Sequence, residues 1–271
     1  MIRQSPQRKV FDCVLYNGEL DVLCIRLNEL WDVVDHFVVV ESDTTFSGLP
    51  KTICYDHREP RIAPFAQKIR HVVVADMPKT DDPWEREKWQ RNAVLRGLAD
   101  ADPSDLILMS DVDEIPRACT VRDMTQNTQD HIFGLRLAFY YFFLNYRNVE
   151  GPESSITWTV AATRNQLEKI TPDDLRYAVR KGEIKACILS DAGWHFSWLT
   201  DDEGARRKIA AFSHQEFNDE VFLSSIDILG LVQRREDMFG RPGFCWAVVD
   251  PCELPAWVQA NRESIARLFV P

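Results

Sequence analysis

No stretch of this 271-residue chain is long and apolar enough to span a bilayer, and the basic start, Met1 to Lys9, leads into no signal core. Asp12, Asn17, Glu19 and Asp21 interrupt the hydrophobic residues there. Excess positive charge is also missing. The net charge is -10, which excludes a general phosphate-binding surface and argues against a nucleic-acid partner. C-x-x-C pairs are absent, and the seven cysteines are scattered and odd in number. Reduced thiols in a cytoplasmic protein are expected, rather than a disulfide framework or a zinc site. No G-x-G-x-x-G, G-x-x-x-x-G-K-[ST] or G-x-S-x-G follows a strand. Rossmann dinucleotide binding, P-loop hydrolysis and a serine nucleophile elbow thereby lose their main support.

What is present is an ordinary globular composition, 45% apolar and 27% charged, with neither repeats nor low-complexity segments. One domain is expected over 1–271, with a flexible tail over 1–8 and a helical extension over 219–271. Strand formers over Val10 to Tyr16 end at the Asn17-Gly18 turn. Leu20, Leu23, Cys24, Leu27, Leu30 and Trp31 then fall at helical spacing, and His36 to Val40 is a second apolar run. This is a β-α-β opening with a right-handed crossover. Ile69 to Val74 is a third strand, and Asp82-Pro83-Trp84-Glu85 starts a helix running to about Gly97.

A short helix follows over about Thr120 to Gln126. His131 to Leu144 alternates at a period of two and reads as one long strand with an aromatic face. Thr157 to Ala162 is another strand, Thr171 opens a helix to about Lys181, and Asp201 opens a further one carrying Arg206, Arg207 and Lys208. Two last helices are expected over Ser224 to Asp237 and Pro255 to Leu268. The fold class is α/β, with a mostly parallel central sheet flanked by helices and a helical C-terminal segment.

The chemistry concentrates at Asp105 to Glu114. An unbroken apolar run, the mark of a strand buried on both faces, gives way to Asp111, Asp113 and Glu114. In extended backbone the first two point to one side, where a divalent cation or a polyol fits between them. Asp-x-Asp alone is weak, and Asp100-Ala101-Asp102 is a second instance. Position separates the first pair, because ligands enter open parallel sheets at the carboxyl ends of interior strands. Asn17, Glu19, Glu41 and Ser42 share that edge, although strands also end in polar loops simply to face water. Arg86, Gln90 and Arg91 lie on roughly one helix face with Asn92 beside them; alone, a solvated face explains them as well. His195 is a metal-ligand or base candidate, and Trp194 and Trp198 are sugar-stacking candidates. Core packing is the ordinary alternative for all three.

Several blocks carry a resemblance: Tyr16-Asn17-Gly18-Glu19-Leu20-Asp21, Arg26-Leu27-Asn28-Glu29-Leu30, Phe37-Val38-Val39-Val40-Glu41-Ser42, Thr45-Phe46-Ser47-Gly48, Trp89-Gln90-Arg91-Asn92, Ser110-Asp111-Val112-Asp113-Glu114-Ile115-Pro116 and Gly193-Trp194-His195-Phe196-Ser197-Trp198. Together, over about Lys9 to Asn218, they resemble glycosyltransferase family 17, the β-1,4-mannosyl-glycoprotein 4-β-N-acetylglucosaminyltransferase family. The resemblance implies a GT-A-like fold, a UDP-sugar donor that is best read as UDP-GlcNAc, a glycan or glycoconjugate acceptor, and inversion at the anomeric carbon. It implies Mn²⁺ or Mg²⁺ on Asp111 and Asp113, with His195 completing the metal shell. The membrane anchor of the animal enzyme is not visible, so a soluble transferase is expected.

Arg86, Arg91 and Arg241 are expected to add positive charge near the leaving group, and Glu114, Glu153 or Glu216 to take the acceptor's proton. Two other readings stand beside this one. A sugar-phosphate nucleotidyltransferase requires a glycine-rich loop after strand one, where only Gly18 stands; a non-catalytic glycan-binding module has no use for Asp111, Asp113 and His195 together.

Overall fold

The structure, a computed structural model, describes residues 8–127, 131–151 and 157–271. All but Arg8 of the expected tail, and the candidate base Glu153, lie outside the described residues. The chain opens with β1 (Val10–Leu15), α1 (Leu20–Leu30), β2 (His36–Ser42), β3 (Ile69–Val74), α2 (Pro83–Asn92) and β4 (Leu106–Asp111). These four strands pair in parallel in the order β4-β1-β2-β3.

Both faces of β4 are buried, as its apolar run implies. Leu106 and Leu108 join Val10, Val14 and Val39 on one face, whereas Ile107 and Met109 join Phe11, Cys13 and Val38 on the other. Asp82 caps α2 by accepting the Trp84 backbone N–H at 2.9 Å. The helix then tightens into a 3-10 turn over Ala93–Leu98, where Gly97 lies so close to Val38 that a Cβ would collide with it.

Next come β5 (Glu114–Pro116), α3 (Ala118–Gln126), β6 (Phe133–Arg136), β7 (Ala138–Tyr141), β8 (Tyr146–Glu150) and β9 (Thr157–Thr163). They are followed by α4 (Pro172–Arg180), β10 (Cys187–Leu189), β11 (Gly193–Ser197) and α5 (Asp202–Ala211). The expected strand over His131 to Leu144 is therefore two strands in two sheets. β6 joins the main sheet, whose order is β10-β6-β9-β4-β1-β2-β3 and whose β9 runs antiparallel to both neighbours. After Leu137 the chain leaves that sheet, and β7 pairs with β8 and β11 instead. Alternation continues across the step because Phe133, Leu135 and Leu137 pack into one core and Phe139 and Tyr141, at the same spacing, into another.

The C-terminal segment contains α6 (Glu220–Ser225), α7 (Ile228–Arg234), a strand β12 (Cys245–Val248) and α8 (Ala256–Ala260). The helix expected over Ser224 to Asp237 is interrupted at Asp227, which caps α7 by accepting the Gly230 N–H at 3.0 Å. The second sheet is β12-β8-β7-β11-β5. Among the described residues no helix is long and apolar enough to cross a membrane.

Asp111 to Glu114 is where the chain passes from the first sheet to the second, since β4 ends at Asp111 and β5 begins at Glu114. Such a crossing strands backbone carbonyls, and Arg26 of α1 collects them. Its Nη1 donates to the carbonyls of Glu114 at 2.7 Å, Asp111 at 3.2 Å and Val112 at 3.3 Å. Its Nη2 donates to Ser110 Oγ at 2.7 Å, and Asp12 of β1 accepts from both Nε and Nη2, at 2.6 and 2.5 Å. Neither side chain is exposed. On the far side, β11 pairs antiparallel with β5 and sets His195 opposite Glu114. Gly193 admits the Ile115 carbonyl into space that any Cβ would fill.

A buried ion pair stripped of one member leaves an uncompensated charge. Arg26→Met is expected to lower the unfolding free energy by about 3–5 kcal/mol in urea denaturation, and adding Asp12→Leu to restore part of it. A single variant as stable as the wild type contradicts this role.

Candidate active site

A cavity of about 630 Å³ opens at the carboxyl ends of β1, β2 and β4, within the size range of small-ligand sites. Asp111, Asp113, Glu114 and His195 line it, together with Asn17, Glu19, Ser42, Gln90 and Arg91. Asp111 and Asp113 do not sit as a matched extended pair, because the backbone turns over Val112–Asp113. Each carboxylate meets different cations. Asp111, with a side chain 37% exposed, holds Arg91 Nη1 at 2.7 Å and Arg176 Nη2 at 3.0 Å. Desolvation works against its charge; Arg176 and Arg91 outweigh it and keep the carboxyl well below the usual carboxylate range. Asp113, 10% exposed, lies 3.6 Å from His195 Nε2 and 3.5 Å from Lys208 Nζ. Burial disfavours the Lys208 ammonium, but Asp113, Glu19 and Asp111 raise its pKa and keep it charged.

Glu114 is a correction. Its side chain is 1% exposed and held by both Arg176 terminal nitrogens, at 2.8 and 2.5 Å, and it accepts the Asp111 N–H at 3.1 Å. A carboxylate that is buried and forked onto a guanidinium is a weak base, and its three hydrogen bonds brace the loop between Asp111 and α4.

Four other expected residues do not reach the cavity. Glu41 is fully buried and ties down the segment after β2, accepting Lys51 Nζ at 2.7 Å and the N–H groups of Cys54 and Tyr55 at 2.6 and 3.0 Å. Arg86 donates to the carbonyls of Phe46 and Thr80 and packs against Gly48, whose φ is +92°. Asn92 accepts the Asp173 N–H at 3.1 Å, across to α4. Trp194 is buried and donates to the Glu253 carbonyl at 2.7 Å beneath Arg117. All four are polar or aromatic residues next to the site whose partners happen to be protein. Trp84, Trp158 and Trp198 supply the cavity's indoles instead. Trp158 lies between Arg180, 4.3 Å over its ring, and His195, 4.9 Å between centroids.

Arg176 and Lys208 carried no separate signal in the sequence, since cationic residues on amphipathic helices look like a solvated face. The available clue was spacing: Arg176 follows the buried Leu175 on α4, and Lys208 precedes the buried Ile209 on α5. Glu216 and Arg241 stand at the cavity wall, paired with His214 and Asp237 respectively.

The donor set permits a divalent ion in a limited way. Asp113 Oδ1 and His195 Nε2 face each other across a gap too long for a hydrogen bond, and the other ring nitrogen, His195 Nδ1, is buried without a hydrogen-bond partner among the described residues. The carboxylate suits Mn²⁺ or Mg²⁺, whereas imidazole suits transition metals, so His195 favours Mn²⁺ over Mg²⁺. Both Asp111 oxygens are turned to arginines, and among the described residues no three His, Cys, Asp or Glu converge as a cage. One or two protein donors completed by substrate phosphates is how Mg²⁺ is commonly held, and Asp113 with His195 fits that pattern.

Glu41 makes one electrostatic consequence measurable. Burial raises its pKa, but the hydrogen bonds from His71, Lys51 and two backbone N–H groups pull it from 4.5 down to about 2. A folded value below the unfolded one stabilises fully above about pH 4.5 and is lost as pH falls toward about 2. The stability gap between wild type and Glu41→Gln is expected to shrink by roughly 3 kcal/mol across that window, read by denaturation. A gap constant with pH contradicts it.

Comparison with known proteins places the chain. The profile of glycosyltransferase family 17 matches residues 1–241. The human β-1,4-mannosyl-glycoprotein 4-β-N-acetylglucosaminyltransferase is 28% identical over 244 residues, 80% of this chain and 45% of that protein. Its mouse counterpart is 27% identical over the same shares, so the chain spans about half the length of the curated relatives it matches. Among solved structures, glucosyl-3-phosphoglycerate synthase from Mycobacterium tuberculosis with Mn²⁺, UDP and phosphoglyceric acid aligns over 69% of each chain, at 15% identity and a TM-score of 0.39.

Proposed function

The chain belongs to glycosyltransferase family 17, and from that premise we propose that it is a metal-dependent inverting transferase carrying GlcNAc from UDP-GlcNAc to a glycan hydroxyl. One observation carries the reading. Asp111, Asp113 and His195 meet Arg91, Arg176 and Lys208 on the wall of a single cavity at the carboxyl end of β4. Transfer from a nucleotide sugar places growing negative charge on the departing diphosphate. Fixed cations that need not reorganise lower that barrier most effectively. Arg91, Arg176 and Lys208 are held by carboxylates in this arrangement, so they are oriented before substrate arrives. A divalent ion, when bound, would add Lewis-acid neutralisation of the leaving UDP, with Asp113 and His195 holding it.

The indoles of Trp158 and Trp198 line the same space and give it apolar surface suited to a pyranose. Trp198 turns the chain out of β11 through a left-handed backbone, φ 57°, which brings its ring to 5.4 Å from Lys208 Nζ.

The test is UDP release from UDP-GlcNAc over a panel of glycan acceptors, with Mn²⁺ or with chelator. Release is expected to need the metal, and Asp113→Ala to lower kcat/KM at least about a hundredfold, the scale of losing one electrostatic partner in the transition state. Turnover indifferent to chelation removes the metal from the account. UDP-sugar binding without release from any donor supports a glycan-binding module instead.

A further inference from the structure

An inverting transfer needs a group that takes the acceptor's proton, and most cavity carboxylates are unsuited to it. Asp111 is held by Arg91 and Arg176, Glu114 by Arg176, and Asp113 lies beside Lys208 and His195. Glu87 binds Arg91 Nη2 at 2.7 Å and Ser213 Oγ at 2.5 Å, and Glu19 accepts the Asn17 N–H at 2.8 Å with Lys208 Nζ 3.8 Å away. A carboxylate paired with a fixed cation is a weak base. Glu216 differs, because its partner is an imidazole: Oε1 lies 2.7 Å from His214 Nδ1.

We infer that His214, oriented by Glu216, is the catalytic base that deprotonates the acceptor hydroxyl, an inference that rests on the transferase reading above. Its own backbone N–H and His214 lower the Glu216 pKa, so the carboxylate is ionised near neutrality and only accepts hydrogen bonds. Facing an oxygen that only accepts, Nδ1 carries a proton, and in the neutral ring the lone pair is then on Nε2. Among the described residues Nε2 has no hydrogen-bond partner, and the side chain is half exposed at the cavity wall.

The ring's position is built rather than loose. Trp84 of α2 meets it edge-on at 4.6 Å between centroids, and Phe212 and Phe217 flank it at 5.6 and 6.3 Å. Its neighbour Ser213 is linked through Glu87 and Arg91 to Asp111, at 2.5, 2.7 and 2.7 Å in turn. One polar chain thus fixes the base relative to the carboxylates at the end of β4.

In the step itself, the acceptor oxygen bonds to the anomeric carbon as the bond from that carbon to the UDP oxygen breaks. The electron pair leaves with UDP, and the acceptor's proton moves to His214 Nε2 and then to solvent. Glu216 stabilises the imidazolium through Nδ1–H.

The experiment uses the full chain with UDP-GlcNAc and whichever acceptor gives the highest wild-type turnover. His214→Ala and His214→Gln are each expected to lower kcat about 10²- to 10⁴-fold, with UDP affinity by tryptophan fluorescence within about threefold of wild type. Added imidazole is expected to restore turnover to His214→Ala. Glu216→Gln is expected to lower kcat by less. Circular dichroism melting shows whether each variant is folded, and the glutamine variant stands in if the alanine variant is not. Either folded variant keeping kcat within about threefold of wild type overturns the assignment of the base while leaving the transferase reading intact. Wild-type protein that releases no UDP overturns both.

Discussion

The Asp12–Arg26 ion pair is the constraint on which the site depends. The chain has to leave a parallel sheet at Asp111 and enter a second sheet at Glu114; of the carbonyls there, that of Asp113 accepts the Phe196 N–H of β11 at 2.8 Å, and those of Asp111, Val112 and Glu114 turn to Arg26. Arg26 donates to three of them and to Ser110 Oγ, and Asp12 neutralises the guanidinium from the middle of β1. A buried pair of this kind is poor evidence for net stability against an apolar replacement. Its value lies in geometry: a planar fork with five donors can satisfy several acceptors at once and fixes the loop in one shape.

Above that base the charges are arranged in alternation. Asp111, Asp113 and Glu114 meet Arg91, Arg176 and Lys208, and the outer carboxylates Glu87, Asp173 and Glu19 hold the far sides of Arg91 and Lys208. The cations are thereby charged and pointed before any ligand binds, and each is compensated by carboxylates rather than left as excess positive charge. The same arrangement narrows the chemistry available to each acid. Carboxylates locked to guanidinium groups serve as orienting groups, and proton transfer falls to a residue whose partner is not a fixed cation.

Much of this was legible in the sequence. The unbroken apolar run of β4 implied a strand buried on both faces, the strand formers of β1 and the apolar run of β2 implied its companions in a β-α-β opening, and the polar residues after them implied a site at their carboxyl ends. Asp111, Asp113 and His195 do meet in one cavity, and His195 was picked out by the Gly-Trp-His block on which the family resemblance was read. Hydrophobic periodicity could not show the step at Leu137, because a strand that changes sheets keeps its alternation. It also could not distinguish Glu41, Arg86 and Asn92, whose partners are protein groups, from Arg91 and Gln90, whose side chains line the cavity. Arg176 and Lys208 were hidden for the opposite reason. A cationic residue on an amphipathic helix reads as solvated until the helix is placed against a sheet.

The most direct measurement of the account is a crystal structure of the full chain with UDP and Mn²⁺. The diphosphate is expected at the carboxyl end of β4, contacted by Arg91, Arg176 or Lys208, with the ion on Asp113 and His195. A diphosphate seated away from those residues, with Asp111 and Asp113 still paired only to protein cations, would contradict it.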